Sequence, residues 1–336
     1  MIRQLYFLRT GGTDPYENLA TEACLMKDCP QDSAILYLWQ NEKTVVIGKN
    51  QNPWKECDLP LLQDDGIRLA RRKSGGGAVY HDLGNLNFTF LLPLSDYDPL
   101  RQLDMICFAL RRFGISAQKT GRNDITVDGR KVSGSAFQKS GGIGCHHGTL
   151  LVASDVEKMS RYLRPSAEKL QTKGVDSVRS RVVNLQALCP ELSVENLAAA
   201  VKEAFIQSFS LPCHELTFGD LPAEEIRKTA AEFSDPRWLY QRRMPFTWQT
   251  SARFDWGEVQ IFLHADCGRI DRVQIDSDAM DTVFFEKITA LWTGKPFDFS
   301  VLSAELESIA QEPLYARMSG DIRSLLTGQN QEGGSL

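Results

Sequence analysis

No run of about 18 consecutive apolar residues occurs in the 336-residue chain, so we predict no membrane-spanning helix. The start, Met1-Ile2-Arg3-Gln4, is not followed by the apolar core of a signal peptide, so we expect a cytoplasmic protein. Basic residues do not outnumber acidic ones, because the chain has 43 acidic and 38 basic side chains. The resulting net charge of -5 speaks against a nucleic-acid partner.

Patterns typical of disulfides and zinc sites are equally scarce. The eight cysteines include no C-x-x-C pair, and the five histidines form neither H-E-x-x-H nor a Cys/His ligand spacing. We therefore predict reduced, mostly buried thiols and no zinc enzyme. For Cys145 a reactive thiol is the alternative, because two histidines follow it directly in the sequence.

Local patterns predict a mixture of helices and strands. Asp14 and Pro15 have the residue types of a helix cap and first turn, and Ser154-x-x-Glu157 resembles a capping box. Residues 35–39 and 44–48 read as a hairpin, and Asp128-Gly129 is a strong turn signal between strands at 125–127 and 130–132.

At roughly 100 to 200 residues per domain, the length predicts two domains. We expect an α/β fold of the α+β type, with a mixed, largely antiparallel sheet flanked by helices in a large N-terminal domain, residues 1–246. A small C-terminal α/β domain, residues 250–327, should combine an antiparallel set of strands with two or three helices. Residues 328–336 are polar and glycine-rich, which predicts a flexible tail.

One segment combines charge with backbone freedom: Arg71-Arg72-Lys73-Ser74-Gly75-Gly76-Gly77-Ala78-Val79-Tyr80-His81-Asp82. Three glycines let backbone N–H groups approach an anion closely, and three adjacent cations raise the local potential. The segment is therefore a candidate phosphate site. A glycine-rich loop beside a solvated basic run is the alternative, and neither common nucleotide-binding glycine motif is present.

Two further segments follow. Gly121-Arg122-Asn123-Asp124 leads into the predicted hairpin, which carries Lys131 on its returning strand with Ser133 on the same side. Taken alone, Lys131 could be a solvated edge residue. In Cys145-His146-His147-Gly148-Thr149, adjacent histidines of an extended chain point to opposite faces, so at most one shares a site with Lys131.

Together these segments resemble the lipoate-protein ligase A family. The resemblance rests on residues 71–85, 121–124, 131–136 and 146–151. It extends to 45–48, 51–56, 177–182, 253–257 and 268–272, so it covers nearly the whole chain. It implies a two-step enzyme, in which MgATP converts lipoate or octanoate to an acyl-AMP and the acyl group then passes to a lysine of an acceptor domain. Residues 238–243 depart from the family pattern.

The resemblance also implies roles for single residues. Lys131 would be the catalytic residue, touching both the lipoyl carbonyl and the α-phosphate, and Asp124 would hold Mg²⁺. The ATP-binding residues would be Arg72, Gly76, Gly77, Ala78, Val79, Tyr80, Asn123, Asp124 and Lys131. The lipoate-binding residues would be Trp39, Ser74, Gly75, Lys131 and His147. For Trp39, plain core packing is the alternative.

The implied partners are lipoate and the apo lipoyl domains of 2-oxoacid dehydrogenase complexes and the glycine cleavage H protein. We expect a monomer, with basic residues between 161 and 181 as a landing surface for an acidic acceptor. The alternatives are an ATP-independent octanoyl or lipoyl transferase of the same superfamily, in which Cys145 would be a possible acyl carrier, and a non-catalytic lipoyl-binding protein. Biotin-protein ligase fits less well, because its Gly-Arg-Gly-Arg-type loop is absent.

Overall fold

The computed structural model describes residues 1–121, 123–164, 182–240, 248–266 and 268–329, and the chain divides into two compact units. The first unit holds Met1–Ile47, Pro53–Lys73 and Ala78–Tyr240, and the second holds Gly48–Asn52, Ser74–Gly77 and Gln241–Leu336. The predicted connection near residue 246 and most of the predicted tail lie outside the described residues. The domain limits inferred from the sequence therefore stay a prediction.

The helices and strands of the first unit alternate irregularly. Its strands are β1 (Gln4–Arg9), β2 (Ser33–Trp39), β3 (Thr44–Ile47), β4 (Arg68–Arg71), β5 (Val79–His81), β6 (Asn85–Pro93), β7 (Gln118–Thr120), β8 (Asp124–Val127), β9 (Arg130–Ser140), β10 (Ile143–Leu151) and β11 (Cys213–Leu216). Its helices are α1 (Pro15–Lys27), α2 (Pro53–Glu56), α3 (Leu59–Asp64), α4 (Pro99–Arg111), α5 (Val156–Tyr162), α6 (Leu185–Leu188), α7 (Val194–Phe209), α8 (Ala223–Ser234) and α9 (Pro236–Tyr240).

Eight of these strands form one mixed sheet in the order β11-β1-β2-β6-β10-β9-β8-β7. β1 runs parallel to β2 and β11, and the other neighbours are antiparallel, which confirms the predicted mixed, largely antiparallel sheet. The hairpin predicted from residues 35–39 and 44–48 is wrong. β2 belongs to the large sheet, whereas β3 pairs with β4 and β5 in a separate three-stranded sheet. Both runs are fully buried, so local pattern could not distinguish their partners.

Helices cover both faces of the large sheet. α4 and α7 lie on one face, around a core that includes Phe88, Phe90 and Leu150. α1 and α8 lie on the other, with Tyr37 and Trp39 in their core. Burying both faces stabilises the sheet and leaves little room for water between the layers.

Of the two predicted helix starts, one is confirmed and one is wrong by a single residue. Asp14 caps α1 by accepting from the N–H groups of Tyr16 and Glu17, with Pro15 in the first turn. α5 is capped by Asp155 and not by Ser154, because the Asp155 carboxylate accepts from the Lys158 N–H.

The second unit is built around its own core. Its strands β12 (Trp248–Phe254), β13 (Gly257–Asp266) and β14 (Arg269–Ser277) form an antiparallel sheet, as predicted. Helices α10 (Val283–Trp292), α11 (Phe299–Ala310) and α12 (Ala316–Gln329) follow. Trp292, Phe284 and Leu302 are among the side chains that fill this core. Within the described ranges, no helix of either unit has the length and apolar character needed to cross a membrane.

Candidate active site

The face of the large sheet that packs against α1 carries several of the predicted site residues. Thr89 on β6 lies opposite His147 on β10, and Asp124 on β8 lies in the row of Gly134 and Thr149. Directly opposed residues of antiparallel strands share a face. Trp39, Thr89, His147 and Asp124 therefore project from the same side of the sheet.

Lys131 reaches that face through a β-bulge. The predicted turn is present, since Asp128 and Gly129 have φ angles of 49° and 75°. The register between β8 and β9 then shifts, so that Thr126 opposes Lys131 while Ile125 opposes Ser133, and Val132 is the extra residue. The expectation that Ser133 shares a side with Lys131 is thus wrong. Ser133 is buried opposite Leu150 on the other face, because the bulge interrupts the two-residue alternation.

The Lys131 ammonium pairs with the Asp124 carboxylate. Nζ lies 2.8 Å from Oδ1, and the two side chains are 37% and 32% exposed, so ligands can reach both groups from solvent. Gly134 makes room for this arrangement, because a Cβ there would lie 2.7 Å from Nζ and 2.8 Å from Cε of Lys131. Asn123 is held in place through its side chain, which donates to the Ser135 carbonyl at 3.1 Å.

Beside this pair, a buried chain of hydrogen bonds connects Trp39 with His147. The Trp39 indole N–H donates to the Thr89 hydroxyl at 3.0 Å, and that hydroxyl donates to the Glu22 carboxylate at 2.6 Å. His147 Nδ1 lies 2.8 and 2.9 Å from the two Glu22 oxygens. All four side chains are buried. Two of the five residues predicted to bind lipoate thus belong to one buried hydrogen-bond network.

The buried Glu22 carboxylate is surrounded by groups that favour its ionised form. Burial alone would raise the pKa of the Glu22 carboxyl, but His147 and the hydrogen bonds from His147 and Thr89 outweigh burial and lower it. An ionised carboxylate only accepts hydrogen bonds, so His147 Nδ1 carries the proton. Burial lowers the pKa of Arg72 to about 10, against the opposing effect of Glu22. Arg72 therefore remains a cation at neutral pH.

His81, which the sequence did not single out as a site residue, lies in the same region. Its ring packs edge-on to Trp39 at 6.2 Å, and Nδ1 faces the Asn41 amide at 3.1 Å. Burial, with Arg72 and His147 nearby, lowers its pKa to about 3, so the ring is neutral. Nε2 is buried without a hydrogen-bond partner within the described part of the chain. A ligand in this region could supply that partner.

The two adjacent histidines do face opposite sides, as predicted. His146 points toward α4, where it bonds to Gln102 at 2.8 Å and packs on Phe88 and Phe137. Cys145 shares the face of His147, and burial raises the pKa of its thiol well above the ordinary value. A fully buried thiol of this kind is a poor nucleophile, which disfavours the transferase mechanism through Cys145.

The three adjacent cations diverge in space. Arg71 is fully buried and donates from its guanidinium to the carbonyls of Trp238 and Leu239, so it is a structural residue. Lys73 lies over the Phe233 ring at 5.2 Å. Arg72 interacts electrostatically with Glu22. The three side chains thus have different surroundings, and their joint effect on a bound phosphate stays a prediction.

A cleft of about 340 Å³ opens on the same side of the first unit. It is bounded by α1, α8, Lys73 and the end of the β9–β10 hairpin, and Glu22 belongs to its wall. Its lining residues are Leu19, Glu22, Ala23, Cys24, Met26, Lys27, Lys73, Gln138, Ser140, Gly141, Glu225, Thr229 and Phe233. Through Glu22 the cleft adjoins the hydrogen-bond chain of Trp39 and His147.

After the glycines, the chain enters β5. Ala78 and Val79 are half-buried there, and Val79 pairs with Val46. Tyr80 is buried against Tyr162, with ring centroids 5.4 Å apart, so its side chain is a core side chain. Only its backbone remains available for the predicted nucleotide contact.

The glycines themselves, with Ser74, belong to the second unit. A Cβ on Gly75 would lie 2.3 Å from the Ala279 carbonyl oxygen and 2.4 Å from that of Met280, so only glycine allows this approach. Gly76 has a φ angle of 88°, and its N–H donates to the Ala279 carbonyl at 3.0 Å. Ser74 is fully buried. In this structure the turn therefore packs backbone against backbone, and its phosphate-binding role stays a prediction.

Sequence reasoning missed Glu22, Thr89 and His81. For Glu22 a signal existed: an acidic side chain in the middle of a helix whose face is otherwise apolar. Thr89 sits in an apolar strand, where β-branched residues are common, so nothing marked it. His81 belongs to the glycine-rich segment 71–82, but no residue spacing around it indicated a binding role.

Comparison with known proteins agrees with this architecture. The model of the lipoyl protein ligase A/B catalytic domain matches residues 14–206, and that of the bacterial lipoate protein ligase C-terminus matches residues 243–324. A lipoate-protein ligase A of Psychrobacter cryohalolentis is 37% identical over 335 residues, which is 97% of this chain and 99% of that protein.

Solved structures give the same result. The crystal structure of P. falciparum LipL1 in complex with lipoate superposes with a TM-score of 0.84 at 28% identity, over 95% of this chain and 98% of that one. A lipoate-protein ligase A bound with ATP has a TM-score of 0.61 at 26% identity, over 71% of this chain and 99% of that one.

The fold and the first family match define a lipoyl protein ligase catalytic domain. The second match is to the C-terminal domain of bacterial lipoate protein ligases, and the curated relative is similar over nearly its full length. The chain belongs to the lipoate-protein ligase A family.

Proposed function

We propose that this lipoate-protein ligase works in two half-reactions on the α1-facing side of its large sheet. In the first, a lipoate carboxylate oxygen attacks the α-phosphorus of ATP, a new O–P bond forms and pyrophosphate leaves. In the second, a lysine ε-amine of the acceptor attacks the acyl carbon of lipoyl-AMP, an amide bond forms and AMP leaves with the bonding electrons. The amine proton passes to solvent.

The observation that carries this proposal is the position of Lys131. Its ammonium projects, partly exposed, from the same sheet face as the buried chain of Trp39, Thr89, Glu22 and His147. The first half-reaction brings a carboxylate against a polyanion, so it requires a fixed cation where the charges meet. The cleft bounded by α1 and α8 offers a partly apolar space for the acyl chain.

Asp124 suits the predicted Mg²⁺. Its Oδ1 is buried and, apart from the contact with Lys131, has no hydrogen-bond donor within the described residues. Mg²⁺ typically binds one or two protein carboxylates together with substrate phosphates. When bound, the ion would neutralise charge on the phosphates. Arg72, Asn123 and the backbone of residues 76–80 would then contact the nucleotide, in keeping with the predicted roles.

The acceptors would be apo lipoyl domains of 2-oxoacid dehydrogenase complexes and the glycine cleavage H protein. Most of the basic stretch predicted to receive them, residues 165–181, lies outside the described residues. Arg161 and Arg164, at its start, pair with Asp65 and Asp58. Monomeric state and cytoplasmic location remain predictions.

Pyrophosphate release tests the first half-reaction. A cation about 4 Å from a developing charge in a partly wet site contributes on the order of 4 kcal/mol, or nearly a thousandfold in rate. Lys131→Ala should therefore fold normally and release pyrophosphate roughly 1000-fold more slowly. Lys139→Ala, which removes an exposed lysine from the same strand, is the matched control and should keep the rate. Equal rates in both variants would reject the role of Lys131.

A further inference from the structure

A thiol, an imidazole and a carboxylate converge next to the buried hydrogen-bond chain. Metal-ligating atoms of Glu22, Cys145 and His147 all lie within 4.8 Å of one another, and the three residues are buried. Cys145 and His147 are two residues apart on β10, so they project to the same face, and Glu22 approaches from α1. The pattern Cys-x-His with a distant Glu is not a local zinc motif, which is why sequence analysis passed over it.

We propose that Glu22, Cys145 and His147 form a binding site for a thiophilic divalent metal ion of the Zn²⁺ class, separate from the predicted Mg²⁺ position at Asp124. The mixed sulfur, nitrogen and oxygen donors favour such an ion over Mg²⁺, which prefers oxygen ligands. Three protein ligands leave a fourth position for water.

The distances fit with small adjustments. Zinc bonds of about 2.0 to 2.3 Å in a tetrahedron place ligand atoms roughly 3.3 to 3.8 Å apart. His147 Nδ1 and the Glu22 oxygens, now 2.8 to 2.9 Å apart, would separate by about half an ångström if that nitrogen takes the ion. The Cys145 S–H bond breaks on binding and its proton leaves to the buffer. The His147 Nδ1–H bond breaks as well, and the ring takes the tautomer that carries its proton on Nε2, so that Nδ1 can bind the ion. Thiolate and carboxylate then balance the charge of the ion.

A neighbouring group already orients one of the ligands. The Thr89 hydroxyl donates to Glu22 at 2.6 Å and so orients that carboxylate. Such outer partners fix ligand geometry in metal sites. Because Glu22 also lines the cleft, an ion can enter from there. If the proposed function holds, an ion at this site competes with the acyl chain, so Zn²⁺ should inhibit the first half-reaction.

Titration of the full chain with Co²⁺, followed by absorption, tests the site without any ligase activity. One equivalent should produce a sulfur-to-metal charge-transfer band that Zn²⁺ abolishes and Mg²⁺ leaves unchanged. Cys145→Ser should lose the band or bind Co²⁺ at least about 10- to 100-fold more weakly, because even the loss of a group that hydrogen-bonds to a metal ligand costs that much affinity. Cys107→Ser is the control and should keep the band, because Cys107 is a buried cysteine of α4, which packs on the opposite face of the sheet. A band that survives in Cys145→Ser, or its absence from the wild type, overturns the proposal.

A second measurement needs no variant. X-ray absorption of the wild-type chain with one equivalent of Zn²⁺ should show one sulfur near 2.3 Å and nitrogen or oxygen ligands near 2.0 to 2.1 Å. A first shell without sulfur, or with several sulfurs, would reject the assignment.

Inhibition of pyrophosphate release by Zn²⁺ tests whether the ion competes with the acyl chain. Inhibition in the wild type and Cys107→Ser, but not in Cys145→Ser, supports the competition. Binding without inhibition rejects only that competition.

Discussion

Replacing Gly134 by alanine should separate catalysis from folding. The added Cβ would lie 2.7 Å from Lys131 Nζ and 2.8 Å from Cε, distances that real Cβ atoms do not tolerate. The obstructed atoms are the tip of a flexible side chain, so the lysine moves and the strand stays in place. The ammonium consequently leaves its position 2.8 Å from Asp124.

Displacement of the Lys131 ammonium should affect stability much less than the rate of catalysis. The ion pair is about one-third exposed, so its loss should lower the free energy of unfolding by only about 0 to 1 kcal/mol. A catalytic group displaced by about 1 Å can cost about 100-fold in rate. We therefore expect Gly134→Ala to have a nearly normal urea midpoint and pyrophosphate release slowed roughly 100-fold.

Gly320→Ala is a matched control, because a Cβ there meets nothing within 4 Å. It should keep the rate, and its free energy of unfolding should stay the same or rise by up to about 1 kcal/mol, because Gly320 lies in α12 and alanine is the better helix former. Normal pyrophosphate release by folded Gly134→Ala would refute the idea that the Lys131 position matters. A rate lost together with the urea transition would instead assign Gly134 a structural role.

Three other predictions concern the buried groups. Thr89→Val leaves the Trp39 indole and the Glu22 carboxylate each one hydrogen bond short, so the free energy of unfolding in urea should fall by about 2 to 4 kcal/mol; a loss under 0.5 kcal/mol would contradict the network. Trp39→Val should admit longer or bulkier carboxylates in an adenylation assay, and an unchanged substrate range would place Trp39 in the core only. Burial lowers the pKa of His146 to about 3, so its contribution to stability is complete above pH 6.5 and is lost as the pH falls toward 3, at about 1.4 kcal/mol per pH unit. His146→Gln should remove that contribution from the free energy of unfolding measured in urea between pH 7 and 5, leaving the similar contribution of buried His81, and a slope identical to that of the wild type would mean that His146 is already charged.

Local sequence rules predicted the elements whose signals are themselves local. The Asp14 cap, the Asp128-Gly129 turn and the antiparallel strands of the second unit follow from side-chain chemistry or alternation within a few residues. The pairing of strands was harder to predict from the sequence, as β2 and β3 show, because they belong to two different sheets. Burial on both faces removes the alternation that would indicate a partner.

The site shows the same limit. Lys131 and His147 could be singled out because they stand in a recognisable segment, and only one histidine could face the site by strand alternation. The bulge at Val132 and the bonds of Glu22 to Thr89 and His147 depend on tertiary contacts that no spacing encodes. The divergence of Arg71 from Arg72 likewise depends on packing against α9, since the Arg71 guanidinium bonds to Trp238 and Leu239.

The mass of an apo lipoyl domain, incubated with this chain, lipoate and Mg²⁺ in the presence or absence of ATP, tests the account most directly. We predict the mass increase of one lipoyl amide on a single lysine when ATP is supplied, and no increase without ATP or with Lys131→Ala. Modification from free lipoate that proceeds equally without ATP, or no modification by a folded wild-type chain supplied with ATP, would contradict it.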